Sequence, residues 1–265
     1  MPHLNANGIR IFYEKTGDGP FLILVNGFNQ HHMAWKRCLP ILSKHFSIVA
    51  FDNRGAGQTD APEESYSIEM LADDTAALMD ELNIENAHFM GSSMGTLTIQ
   101  QLCLSHPDRV KKAVLCAPFS YFPPVAQHYV KTQLQMLSEG VPKQKLQELN
   151  MAWLMSNAFI STPGNKEKFL GEILSDPYPI STEGLLGQAD ALLSADLRKE
   201  IHNIPHHILL LVAENDIDTP VYCAKYMQKT IPNCQMHIFK EMGHQFLYEI
   251  PEKTSKSAVE FLLQE

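Results

Sequence analysis

HFMGSSMGTLTIQ, residues 88–100, sets two adjacent serines between two glycines where the residue pattern changes character. Ala87 to Met90 is apolar and strand-like, whereas Met94 to Leu104 carries apolar residues at helical spacing around Leu97, Leu102 and Cys103. A strand therefore turns sharply into a helix. The pattern Gly-x-Ser-x-Gly fits in one phase only, with Ser93 at its centre and Gly91 and Gly95 two residues to either side. So tight a turn crowds neighbouring backbones, leaves no room for a Cβ at the flanking positions and thrusts the apex side chain out of the sheet. The Ser93 hydroxyl then sits over a helix N-terminus, whose unsatisfied N–H groups, that of Met94 among them, can stabilise a developing negative charge.

The flanking sequence supplies the sheet. HLNANGIRIFYEK, residues 3–15, alternates apolar and polar residues around Asn7-Gly8 and predicts an antiparallel hairpin. Phe21–Val25, Phe46–Phe51, Ala87–Met90 and Val110–Cys116 are short apolar runs separated by longer helical stretches, the mark of a parallel sheet between helical layers. One helix presents Ile68, Leu71, Thr75, Leu78, Met79 and Leu82 on a single face, with Glu69, Asp73, Asp74 and Glu81 directed away and Ser67 as N-cap. From about Val125 to Leu197 the strands stop and several helices follow, punctuated by EGVPK, STPGNK and SDPYPISTEG. Strands resume at His207–Ala213 and Gln235–Phe239, and a helix near Thr254–Leu263 closes the chain. The predicted fold is an α/β, mostly parallel wound sheet with helices on both faces. Residues 1–123 and 198–265 form its core, and residues 124–197 an inserted helical lid.

Bulk properties narrow the function. At 265 residues, 45% hydrophobic and 19% charged, the chain is long enough for a sizeable core and a pocket. A formal charge of −9 argues against a nucleic-acid binder. No apolar run approaches the roughly 18 residues of a membrane span, and MPHLNANGIR lacks a secretory pattern, so a cytoplasmic location is expected. Cysteines 38, 103, 116, 223 and 234 show no paired spacing for a disulfide framework or zinc site. The paired His31 and His32 have no carboxylate suitably spaced nearby for a metal.

A serine hydroxyl is a poor nucleophile near neutral pH and needs a base, itself held by an acid. Of the twelve histidines, His244 in KEMGHQF lies just beyond the last strand, at the sheet end where ligands gather in wound α/β proteins. His237 lies within a strand, His206 and His207 open one, and His106 precedes Pro107 at a helix end. For the acid, the turn after Ala213 offers Glu214, Asp216 and Asp218, with Asp216 the leading choice.

The order Ser93, Asp216, His244, with a helical insertion between the first two, resembles the α/β-hydrolase fold superfamily over nearly the whole chain. ILVNGFNQHHMAW is similar to its oxyanion loop, FDNRGAGQTD to its Asp-x-Arg-Gly loop, GSSMG to its nucleophile elbow, and AENDIDTP and MGH to its acid and base segments. The nearest likeness is to small esterases, enol-lactonases and cofactor-free haloperoxidases. The resemblance implies Ser93 as nucleophile, Asp216 rather than Asp218 as acid, His244 as base, and the amides of Phe28 and Met94 as oxyanion donors. It also implies no metal or organic cofactor. Asn26-Gly27 replaces the family's usual His-Gly, Thr59 a serine and Ala213 a glycine, and none of these removes a catalytic group.

The expected chemistry is hydrolysis of a small-molecule ester or lactone. Asn26, Gly27, Phe119, Tyr121, Phe122, Met136, Trp153, Met155 and Phe159 are the candidates for its apolar site. Three other readings use the same residues: a slow ligand sensor or signalling protein, a methyl esterase acting on a carrier-protein acyl group, and a perhydrolase or carbon–carbon bond hydrolase. A carrier would need a basic lid, yet residues 124–200 hold seven Lys and Arg against nine acids. A homodimer is left open.

Overall fold

Strands that are apolar on both faces must be covered on both, and alternation along each strand divides the core in two. In β3 (Phe21–Val25) Leu22 and Leu24 face one layer while Ile23 and Val25 face the other. The same division holds in β4 (Ser47–Phe51), β6 (Val110–Cys116) and β7 (His207–Ala213). One layer contains the helices Ile68–Glu81, Met94–Ser105 and Val221–Thr230; the other is closed by the terminal helix Pro251–Leu263.

The structure, a computed structural model, describes residues 2–264. With β1 (His3–Ala6), β2 (Ile9–Thr16), β5 (Ala87–Ser92) and β8 (Cys234–Phe239), the strands form one eight-stranded sheet in the order β1-β2-β4-β3-β5-β6-β7-β8. β1/β2 and β2/β4 are antiparallel and the remaining pairs parallel. The hairpin turns at Asn7-Gly8, both at positive φ, as its turn type requires. Ser67 caps the helix Ile68–Glu81 by accepting from the Met70 amide. Between β6 and β7 lie five α-helices, running from Pro124–Ser138 to Thr182–Ser194. No helix among the described residues is long and apolar enough to cross a membrane.

One expectation fails on the helix Ile68–Glu81. Asp74 does not point to solvent but is 2% exposed, paired with the guanidinium of Arg54 at 2.7 and 2.9 Å and accepting from Asn7 Nδ2 at 2.7 Å. This buried ion pair ties the loop after β4 to the helix, and periodicity alone cannot distinguish such a carboxylate from a solvated one.

The elbow is fixed by close approach. A Cβ on Gly95 would run into the carbonyl oxygen of Val25, and one on Gly91 would meet Ile99 and the Gly95 carbonyl. Gly95→Ala should therefore force β3 away from the helix Met94–Ser105 and cost about 1–3 kcal/mol in urea denaturation, the usual range for overpacking. An unchanged midpoint would contradict this packing.

Candidate active site

Ser93 follows β5 at φ 51° and ψ −118°, a region that costs an L-residue about 1–3 kcal/mol. The strain is held by three bonds: Ser93 N donates to Cys116 O at 2.9 Å, and its carbonyl accepts from Thr96 N at 2.8 Å and Thr96 Oγ1 at 2.7 Å. Its side chain lines a cavity of about 520 Å³ above the carboxyl ends of the parallel strands.

His244 enters the same cavity from the loop after β8. Gly243 is required beside it because a Cβ there would lie 2.7 Å from the carbonyl of Leu154 in the inserted segment. That carbonyl also accepts from Gln245 N at 3.0 Å, so the histidine loop is clamped to the insertion. His244 Nδ1 bonds Asp216 Oδ2 at 2.8 Å, which leaves Nε2 facing the cavity. Among the described residues no hydrogen bond joins Nε2 to Ser93 Oγ.

Asp216 is held by the turn that follows β7. Its Oδ1 accepts from the amides of Asp218 at 2.9 Å and Thr219 at 2.8 Å, and its Oδ2 accepts from Thr219 Oγ1 at 2.7 Å. Burial alone would raise its pKa, but the charge and hydrogen bond of His244 and the Thr219 donors outweigh burial and lower it. Conversely, burial would depress His244, yet the Asp216 charge and hydrogen bond, with Asp218 adding to them, push it up to about 9.

Asp218 approaches the other side of the ring. Its Oδ2 stands 3.9 Å from His244 Nε2, and its Oδ1 accepts from Trp153 Nε1 at 2.8 Å. Sequence offered Glu214, Asp216 and Asp218 for one role; the structure sets the two aspartates beside opposite nitrogens of one imidazole.

Gly27 and Phe28 close the cavity near the elbow, where a Cβ on Gly27 would sit 3.3 Å from that of Ser93. The loop is positioned by a residue that sequence reasoning missed. Gln188, fully buried on the helix Thr182–Ser194, accepts from Asn29 N at 3.0 Å and donates to Arg54 O at 2.9 Å. No local pattern marks it, because both partners are more than 130 residues away in sequence. Met94 is wholly buried at the start of the elbow helix.

Several pocket candidates lie elsewhere. Of the apolar set, Phe122 and Gly27 line the cavity, whereas Asn26, Phe119, Tyr121, Met136, Trp153, Met155 and Phe159 do not. Asn26 is buried beneath the loop, donating to Phe51 O and accepting from Trp35 Nε1 at 2.8 Å. Phe119 packs in the core, and Tyr121 stacks under the Arg198 guanidinium at 4.0 Å. Met155 and Phe159 join a small cluster with Met151, Phe169 and Tyr248. Trp153 acts through its indole N–H on Asp218. The wall instead includes Tyr129, Gln133, Gln147 and Asn150, polar residues of the insertion.

The histidine pair does meet carboxylates, contrary to expectation. His32 Nδ1 lies 2.8 Å from Asp52, and His31 Nε2 lies 3.0 Å from Asp176. Both acids come from distant segments, so sequence spacing could not show them. One ligand atom from each of His31, His32 and Asp52 lies within 4.8 Å of the others, and Asp52 also accepts from the amides of His32 and Gln58, which braces the loop.

A family model described as the alpha/beta hydrolase fold matches residues 20–251. A Caulobacter vibrioides protein provisionally named carbamate hydrolase RutD is 26% identical over 263 residues, covering 95% of each chain. The solved enol-lactonase of Burkholderia xenovorans superposes with a TM-score of 0.89 at 25% identity, covering 99% of this chain and 100% of its own. A thermophilic esterase from Thermogutta terrifontis gives 0.86 at 25% identity, with 99% and 98% covered.

With two carboxylates facing it, the His244 imidazole should stay protonated through neutral pH and titrate near 9 by NMR. Asp218→Asn removes one of the two negative charges and should move that midpoint down. A midpoint that stays in place would show that Asp218 does not act on the ring.

Proposed function

We propose, on the premise that the chain belongs to the alpha/beta hydrolase fold family, that it is a serine hydrolase cleaving carboxylic esters or lactones through an acyl-enzyme. The observation that carries this reading is the meeting of a strained, outward-facing Ser93 with His244 in one cavity, the imidazole held at Nδ1 by a buried Asp216.

In this reading neutral His244 takes the Ser93 proton through Nε2 as the hydroxyl attacks the carbonyl carbon. Asp216 fixes the tautomer with the proton on Nδ1 and stabilises the imidazolium. The amides of Phe28 and Met94 receive the oxyanion, each such donor being worth on the order of 3 kcal/mol of barrier. The imidazolium then protonates the leaving oxygen, and a water activated by the same nitrogen releases the acid. Phe122, Val130, Leu134, Leu185 and Leu192, all on the cavity wall, suit a small to medium apolar acyl group. The insertion acts as a lid in this scheme, its helix Thr182–Ser194 holding the oxyanion loop through Gln188. No metal or organic cofactor is called for.

Because the base must be neutral, kcat/KM should climb with pH toward the His244 midpoint near 9 and level off above it. Ser93→Ala should reduce hydrolysis of p-nitrophenyl butyrate by at least about ten-thousand-fold while the protein stays folded. Wild-type and variant rates measured side by side decide the matter. Equal rates would remove Ser93 from the reaction, and an ester series from acetate to dodecanoate sizes the acyl site.

A further inference from the structure

Asp218 is not needed to hold His244, since Asp216 already does so, yet its carboxylate is buried against the reacting side of the ring. Its Oδ1 is committed to Trp153 at 2.8 Å, whereas its Oδ2 accepts no hydrogen bond from any described residue and stands 3.9 Å from His244 Nε2. The other acids on the cavity wall are already matched. Glu172 accepts from Arg37 at 3.0 and 3.2 Å, and Asp176 from His31 at 3.0 Å. Burial raises the Asp218 pKa, the mark of a carboxylate short of compensating charge. The charge of His244 and the Trp153 hydrogen bond work against burial, the Asp216 charge adds to it, and the neighbouring Tyr129 and Cys223 are neutral groups that burial pushes up.

The charge balance changes during catalysis. While His244 is protonated it offsets Asp218, but the base must be neutral to accept the Ser93 proton, and Asp218 then faces the cavity alone. A cation on the substrate would restore the balance. The aromatic surface such a cation favours is at hand: Tyr129 lines the cavity and stacks on Trp153 with ring centroids 4.3 Å apart.

We propose that Asp218 is a specificity-determining residue, and that this site takes esters whose leaving group carries a positively charged nitrogen about two carbons beyond the scissile oxygen. The leaving oxygen must sit at His244 Nε2 to be protonated, and Asp218 Oδ2 stands 3.9 Å from that nitrogen, within reach of a substituent of that length. The assignment to the leaving group rests on the hydrolase reading; the cation site itself does not. A bound cation also cancels the field of Asp218 at the imidazole, so the substrate helps to free its own base.

The test pairs a cation with its uncharged isostere. Choline and 3,3-dimethylbutan-1-ol are titrated into the protein by calorimetry, and butyrylcholine is compared with 3,3-dimethylbutyl butyrate in kcat/KM. Choline should bind about tenfold more tightly or better, butyrylcholine should be favoured by a similar factor, and choline should lower the His244 midpoint. Asp218→Asn should collapse both ratios toward one. Equal or undetectable binding of choline and the alcohol, or a preference that survives in Asp218→Asn, overturns the proposal. Should that variant fail to fold, the wild-type comparison still decides. Choline preference without turnover of either ester keeps the cation site and removes the hydrolase reading. Turnover of both esters without choline preference does the reverse.

Discussion

A strand that becomes a helix across one residue is the constraint on which the rest depends. Ser93 takes a backbone conformation that an L-residue avoids, and the cost is tolerable only because its amide and carbonyl are both bonded and the flanking positions carry no side chain. The missing Cβ atoms let the elbow helix lie directly on the carbonyls that end β3. Hence the loop after β3, with Gly27 and Phe28, reaches the same point in space as the serine. The turns after β7 and β8 reach it too, because parallel strands deliver all their carboxyl ends to one side of the sheet.

The turns after β7 and β8 share a second economy of placement. Two aspartates two residues apart on one turn flank a single imidazole, one bonded to Nδ1 and the other facing Nε2. Asp216 is satisfied by four donors from its own turn and His244, while Asp218 has one donor and an open oxygen. Same residue type and near-equal burial thus produce opposite pKa directions. The difference lies in the charge and hydrogen bond of His244 and the Thr219 donors at Asp216, against a longer His244 contact, a single donor and the repelling Asp216 charge at Asp218.

The strands, the hairpin, the Ser67 cap and the elbow were legible in sequence because each is a local pattern with one physical meaning. Hydrophobic alternation, Asn-Gly and Gly-x-Ser-x-Gly need no knowledge of distant neighbours. The cavity wall was not legible for the opposite reason. Periodicity announces that Phe159 or Phe119 is buried but not against what, and both turned out to pack within protein rather than against the cavity. Asp74, Gln188 and the partners of His31 and His32 were hidden likewise, since each is defined by contacts made across long stretches of chain.

The central claim is that Ser93 is a nucleophile activated by His244. Its most direct test is covalent capture: incubation with a fluorophosphonate, intact mass spectrometry and peptide mapping. One adduct per chain on Ser93, lost in His244→Ala, is the predicted result. No adduct, or one on another residue, would contradict the account at its root.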